Sequence, residues 1–295
     1  MRVTNQSLST RLLSSIQTAQ TRLSDTQERV ATGRRINRPS DDPFGTSRSI
    51  ASHAKLDNVA QQQRTITMAR SELASTESVL TSLGDVVGRA QELAVQADSS
   101  ALDGPARRQI AAEVNQLLSE AVKLGNSSYA GRYIFAGHQT QTAPFVEDVP
   151  GQASTVTYAG DSGQIQREIG DGEQMPVNLD GDAIFTPLFN DLIAFRDALN
   201  TNDLNGVSAA SANMGNALDT VLQARGEIGA RDRRLDLADT RLSDVTLQLQ
   251  TSISDIEDAD ITKEVVDMQT RETALQAALA STGRSLTTSL LDFLR

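Results

Sequence analysis

Residues 207–259, "VSAASANMGNALDTVLQARGEIGARDRRLDLADTRLSDVTLQLQTSISDIEDA", decide the fold. Val207, Ala210, Met214, Ala217, Val221, Ala224, Ile228, Arg231, Leu235, Ala238, Leu242, Val245, Leu249, Ser252, Ile256 and Ala259 follow one another in steps of three and four. Fourteen of these sixteen positions are apolar, the heptad pattern of a helix that buries one narrow stripe against another helix. At 1.5 Å per residue such a helix reaches roughly 80 Å. No compact globule needs that length, so the stretch predicts a rod.

The spacing recurs on both sides of it. Val59, Gln62, Ile66, Ala69, Leu73, Thr76, Leu80, Leu83, Val87, Ala90, Ala94 and Ala97 form a second long seam, with ten of twelve positions apolar. "DSSALDGP", residues 98–105, interrupts it, and Pro105 suits the first turn of a new helix. Ile110, Val114, Leu117, Ala121 and Leu124 then continue, which predicts an antiparallel helical hairpin. At the N-terminal end, Leu12, Ile16, Ala19, Leu23, Thr26 and Val30 make about three heptads, too few and too polar to hold a helix without a partner. Val265, Met268, Leu275, Leu279, Thr282 and Leu286 carry a similar pattern toward "LLDFLR".

Between the first two seams lies "TGRRINRPSDDPFG", residues 32–45. Gly33 ends a helix, Pro39 holds Arg38 extended, and Asp41 or Asp42 before Pro43 starts the next helix. The expectation is a corner with arginines on one side and aspartates on the other, suited to contacts between neighbouring copies. Residues 140–186 differ in character: "STVTYAG" and "GQIQREIGDGEQMPVNL" alternate β-favouring runs with turns, as in a small set of hairpins. The fold class is therefore mainly α, a long coiled-coil helical rod with a small β-rich insertion. Its segments are 1–45, an N-terminal assembly helix; 46–139, rod; 140–186, β insertion; 187–259, rod; and 260–295, a C-terminal assembly helix.

Composition narrows the chemistry. The chain has 295 residues, 3% aromatic, with no Trp and no Cys, so disulfides, thiolate metal sites and cysteine nucleophiles are excluded. A net charge of −11 argues against nucleic acid as a partner, although residues 1–38 hold seven arginines and two acids while residues 140–182 hold eight acids and one arginine. No run of 18 apolar residues and no apolar leader occurs, so neither a membrane partner nor a cleavable signal is expected. His53 and His138 have no ligand at metal spacing and are expected in ordinary surface or interface roles. "SHAK", 52–55, matches Ser-x-x-Lys without the companion motifs of that enzyme class. "NLDGDAIF", 178–185, lacks the rest of a calcium loop and is expected to be a hairpin turn. "SDIEDADITKE", 254–264, is expected to be a solvated helix face or a helix break before Thr262. No acid, base and nucleophile come together, and no cofactor or metal is expected. Arg34, Arg35 and Arg38 are better taken as ion-pairing surface than as a phosphate clamp.

These residues also carry a resemblance. "TGRRINRPSDDPFG" resembles the N-terminal signature of the bacterial flagellin family, "ELAVQA" at 92–97 is similar to that family's conserved-region helix, and the heptad-rich ends match its paired end helices. Within the family, "NRPSDDP" at 37–43, "YIFAGHQTQTAPF" at 133–145 and "VTYAGDSGQIQREI" at 156–169 resemble the branch found at the hook-filament junction, since filament flagellins more often lack both prolines.

The resemblance implies a non-catalytic adaptor, extracellular in the flagellum and exported through the flagellar type III channel without a cleavable signal. It implies self-association in a ring that touches the other hook-associated junction protein and flagellin. It implies terminal segments, 1–45 and 260–295, that are flexible in the monomer and pair on assembly, and a cytoplasmic export chaperone on Val265 to Leu290. The expected assembly interface is Leu12, Ile16, Leu23, Val30, Arg34, Arg35, Asn37, Asp41, Asp42, Leu275, Leu279, Leu286 and Leu290. Two other readings share the helical pattern: a filament-forming flagellin, and a secreted coiled-coil binding module.

Overall fold

The computed structural model describes the backbone of residues 2–99 and 102–293, and the side chains of these except residues 2–6, 8, 9 and 284–293. In chain order the elements are α1 (Arg2–Thr32), α2 (Pro43–Ala97), α3 (Gly104–Gly125), β1 (Ser128–Tyr129), β2 (Arg132–Tyr133), β3 (Phe145–Glu147), β4 (Val156–Tyr158), β5 (Gln166–Gly170), β6 (Glu173–Pro176), α4 (Gly181–Thr201), α5 (Leu204–Glu257) and α6 (Ile261–Phe293). Two compact units result, Met1–Asn58 with Asp244–Arg295, and Val59–Ser243. The fold is mainly α, and its strands occur as three separate antiparallel pairs.

The first unit holds α1 against α6. On α1 the seam residues Leu12, Ile16, Ala19, Leu23 and Val30 are half-buried, and Thr26 is fully buried. A buried hydroxyl needs partners, and Thr26 has two: it donates to the Arg22 carbonyl at 2.8 Å and accepts from Arg29 Nη2 at 3.2 Å. On α6 the covered stripe is Glu264, Met268, Arg271, Leu275, Ala278 and Thr282. Leu279 is not on it; its side chain is 51% exposed. The heptad step from Leu275 to Thr282 is three then four, which selects Ala278, and a small residue there lets the helices approach. The side chains of Leu286 and Leu290 lie outside those described.

In the second unit, α2 buries Val59, Ile66, Ala69, Leu73, Thr76, Leu80, Leu83, Val87, Ala90, Ala94 and Ala97, while Gln62 is half-covered. Its counterpart α5 buries Val207, Ala210, Met214, Val221, Ala224, Ile228, Leu235, Ala238 and Leu242. Arg231, the one charged seam position, donates to the Asn178 carbonyl at 2.8 Å, so its burial leaves no orphan charge. Between these helices Arg225 pairs with Glu77 at 2.9 Å, and Arg70 pairs with Asp236.

Asp103 caps α3 by accepting from the Ala106 N–H at 2.9 Å, with Pro105 in the first turn. This helix buries Ile110, Ala111, Val114, Leu118, Ala121 and Val122, a wider face than the expected seam. Leu117 and Leu124 are only half-covered. The reason is a second neighbour: α3 also packs on α4, so a 3.6-residue periodicity replaces the heptad. Arg107, 4% exposed, donates to the carbonyls of Ala97 and Ser99 and to Asn202 Oδ1 at 2.6 Å, which ties the ends of α2 and α4 to α3.

The scarce aromatic residues are concentrated here. Phe145 of β3 stands 5.2 Å from Phe185, 5.1 Å from Phe189 and 5.2 Å from Tyr158, and Phe135 lies 4.8 Å from Phe185. Phe185 and Phe189 belong to α4, whose N-cap is Asp180, accepting from the Asp182 N–H at 3.0 Å. "NLDGDAIF" is therefore a helix start, not the expected hairpin turn: a short acidic side chain before an apolar run caps a helix as readily as it turns a strand. The hairpin β5–β6 lies along the helices through Ile169 and Met175, both buried. Glu173 anchors it to Arg234 at 2.9 Å and Arg241 at 3.3 Å.

Candidate assembly corner

The corner between α1 and α2 lies wholly in the first unit, beside the break between α5 and α6. Gly33 ends α1 with φ +70, its N–H donating to the Arg29 carbonyl at 2.9 Å, the left-handed stop that glycine takes without a Cβ clash. The chain then runs antiparallel to residues 257–259. Arg35 N–H donates to the Glu257 carbonyl at 2.6 Å, Ala259 N–H donates to the Gly33 carbonyl at 2.9 Å, and Arg34 bridges to Asp258.

The two aspartates do separate jobs. Asp41 Oδ2 accepts from the backbone N–H of Asn37 at 3.1 Å and of Arg38 at 2.9 Å, closing the "NRPSD" turn on itself. Asp42 Oδ1 accepts from Gly45 N–H at 2.8 Å and caps α2, with Pro43 as the first helical residue. Those amide donors, from Arg38 and then Asn37, hold the Asp41 carboxyl below its usual range. For Asp42 the Gly45 amide is the larger cause and the Arg35 guanidinium the next.

The arginines find carboxylates as expected. Arg35 meets Asp42 at 3.2 Å and also donates through Nη2 to the Ile256 carbonyl at 2.6 Å. Arg38 pairs with Glu28 at 3.0 Å, and Arg34 lies 3.8 Å from Glu257. The expected split into a basic and an acidic side does not occur. Asp41 curls back onto amides and Asp42 onto a helix start, so both signs are interleaved and satisfied within the subunit.

Glu257 is the residue that sequence reasoning missed. It ends α5 and accepts from the Ser49 hydroxyl and from His53 Nε2 at 2.9 Å, both on α2, besides facing Arg34. The Ser49 hydroxyl, followed by His53, lowers its carboxyl below the ordinary value. The break at "EDAD" is legible; that the last helical carboxylate collects Ser49, His53 and Arg34, the first two 208 and 204 positions away in sequence, is not. Just beyond, Asp260 accepts from Lys263 N–H at 3.1 Å at the start of α6, and Glu264 pairs with Arg29 at 3.0 Å.

Of the expected residues, the structure gathers Arg34, Arg35, Asn37, Asp41 and Asp42 into this corner. It lines Leu12, Ile16, Leu23, Val30 and Leu275 along the α1–α6 seam and places Leu279 outside it. Among the described residues, no group of three His, Asp or Glu is placed to hold a metal ion, and no helix is long and apolar enough to cross a membrane.

A mainly α chain whose two ends pair along one seam and are clasped at a charged corner defines a helical structural protein. The family model for the bacterial flagellin N-terminal helical region matches residues 3–140, and that for the flagellin C-terminal helical region matches residues 212–294. Flagellar hook-associated protein 3 of Escherichia coli (strain K12) is 30% identical over 280 residues, 85% of this chain and 86% of that one. The flagellar filament 30.7 kDa core protein of Treponema maltophilum is 27% identical over 255 residues, 86% of this chain and 85% of that one. The crystal structure of Bacillus cereus FlgL, 26% identical, covers 69% of this chain and 99% of that chain with a TM-score of 0.61. This chain belongs to the bacterial flagellin family, as a structural component of the flagellum.

Proposed function

We propose that the protein is a hook-filament junction adaptor: it joins the hook to the filament and gives flagellin a surface on which to assemble. The observation that carries this is the 30% identity with a flagellar hook-associated protein 3 over most of both chains, together with the fit to FlgL. Copies form a ring, contact the other hook-associated junction protein and flagellin, and meet through the α1–α6 pair and the corner. Export runs through the flagellar channel, with a cytoplasmic chaperone on the amphipathic stripe from Val265 to Leu290.

Deleting the gene in its own bacterium tests the role. Hooks without filaments, with unassembled flagellin in the medium, support the junction adaptor; normal filaments overturn it. The likeness to a filament core protein supports a second reading, a filament subunit. That reading predicts missing filaments with no flagellin in the medium, and long filaments from the purified protein alone.

A further inference from the structure

We infer that the corner selects the register in which α1 pairs with α6, and that Glu257 and Arg35 are the residues that specify it. The observation behind this is that the α1–α6 seam discriminates poorly between registers one heptad apart. Its α1 side reads Leu12, Ile16, Ala19, Leu23, Thr26, Val30, and its α6 side carries Met268, Leu275, Ala278 and Thr282 besides the charged Glu264 and Arg271, so a slip by seven residues again sets mostly small or aliphatic groups against one another. Most of these side chains are only half-buried, which further flattens the difference between registers.

Polar contacts on the seam do only half the work. In the observed antiparallel pairing Arg29 meets Glu264 at 3.0 Å, and Arg271 donates to the Arg22 carbonyl at 2.9 Å. Slipped one heptad in one direction, Arg29 stands level with Arg271, and like charges oppose the shift. Slipped in the other direction, Arg22 stands level with Glu264 and an ion pair is regained. The seam therefore has no polar veto on that second register.

The corner supplies it. Gly33 and Arg35 hydrogen-bond to the backbone of Ala259 and Glu257, Arg35 Nη2 holds the Ile256 carbonyl, and Ser49, His53 and Arg34 hold the Glu257 carboxylate. All these partners sit on residues 256–259, immediately before α6. Any slip of α6 by a heptad, about 10 Å along the helix, breaks most of them together. The inference concerns the folded subunit and does not rest on the junction role, which the deletion experiment tests separately.

Because the chain has no cysteine, a unique label pair can be placed at Gln20 and Thr273, exposed positions level with each other in the observed register. Spin labels on full-length Gln20→Cys, Thr273→Cys protein report their separation. A single short distance is expected in the otherwise unchanged chain. Adding Arg35→Ala and Glu257→Ala is expected to give a second population displaced by about 10 Å. A separate exchange, Arg29→Glu with Glu264→Arg, leaves the corner intact and is expected to keep the original distance. An unmoved single distance in the corner variant, or a displacement caused by the charge exchange alone, overturns the assignment. So does a broad distribution in either protein, which would mean that the corner holds the pair together without choosing its register.

Discussion

Arg35 donates through Nη2 to the carbonyl of Ile256 at 2.6 Å, across 221 positions of sequence, while its other terminal nitrogen meets Asp42 at 3.2 Å. One guanidinium thus joins the end of α5 to the start of α2. Its planar fork suits that double task, one arm to a carbonyl and one to a carboxylate, in a way that a lysine ammonium does not.

The corner is expected to loosen in acid. Asp41, Asp42 and Glu257 have folded-state pKa values below their ordinary values of 3.8, 3.8 and 4.5. A depressed carboxyl contributes stability that is present above its unfolded pKa and is lost as pH falls through its folded pKa. Protection of the Arg38 and Gly45 amides should therefore hold steady above about pH 5 and fall progressively below about pH 4, read by hydrogen exchange. Equal protection at pH 3 and pH 6 would show that these amides do not depend on the carboxylates. Asp148, Asp161 and Glu173 in the second unit are lowered too, so the readout must be local to the corner and not global unfolding.

Gly45→Ala should destabilise the first unit even though it replaces glycine inside a helix. An added Cβ meets the Asp42 carboxylate and comes within 2.7 Å of Ile36 Cδ1. Alanine gains about 1 kcal/mol of helix propensity, but displacing the capping carboxylate and overpacking against Ile36 cost about 1–3 kcal/mol. Denaturant unfolding followed by a probe on α1 should show the net loss, and a gain in stability would mean that the cap relaxes freely.

How much of this was legible depends on the length scale of the signal. The heptads of α1, α2 and α5 could be read because one narrow stripe repeats for many turns. The turn chemistry of Gly33, Asp42, Pro43 and Pro105 could be read because each residue's conformational preference is local. Hydropathy favours Leu279 over Ala278, whereas the phase of the partner helix decides that Ala278 is the residue covered. The "NLDGDAIF" helix start reads as a turn in sequence because the same short polar residues serve both. Glu257 had no signal at all: its partners Ser49 and His53 are ordinary polar residues on another helix, and only folding brings them within hydrogen-bond reach.

Tyr158 should titrate late. Burial, followed by the nearby carboxylates of Asp180, Asp161 and Asp182, pushes its phenol up to about 12. The single hydroxyl proton is shared between the backbone carbonyls of Asp161 at 2.9 Å and Phe135 at 3.0 Å, an interaction only the neutral phenol can make. The folded pKa is raised, so the associated stability is complete below about pH 10 and is lost as pH rises through about 12. An ultraviolet titration of the three tyrosines should show a late component that Tyr158→Phe removes. A titration unchanged by that substitution would place the late phenol elsewhere.

Leucines 23 and 279 separate folding from assembly. Leu23 is half-buried on the α1–α6 seam, and Leu279 is 51% exposed on the outer flank of α6. Leu23→Asp removes a half-buried aliphatic group and sets a carboxylate against a stripe of α6 that carries Met268, Arg271 and Leu275, at a cost of about 1–2 kcal/mol, so circular dichroism should show lost helix in the isolated protein. Leu279→Asp replaces a side chain already in water and should leave the isolated protein's helix content nearly unchanged. If the outer flank of α6 is assembly surface, the same change removes an apolar contact between neighbouring copies, and complementation of a deletion strain should give cells with few or no filaments. Filaments in normal number from Leu279→Asp would remove this flank from the assembly surface, and intact helicity in Leu23→Asp would show that α1 and α6 do not need each other to fold.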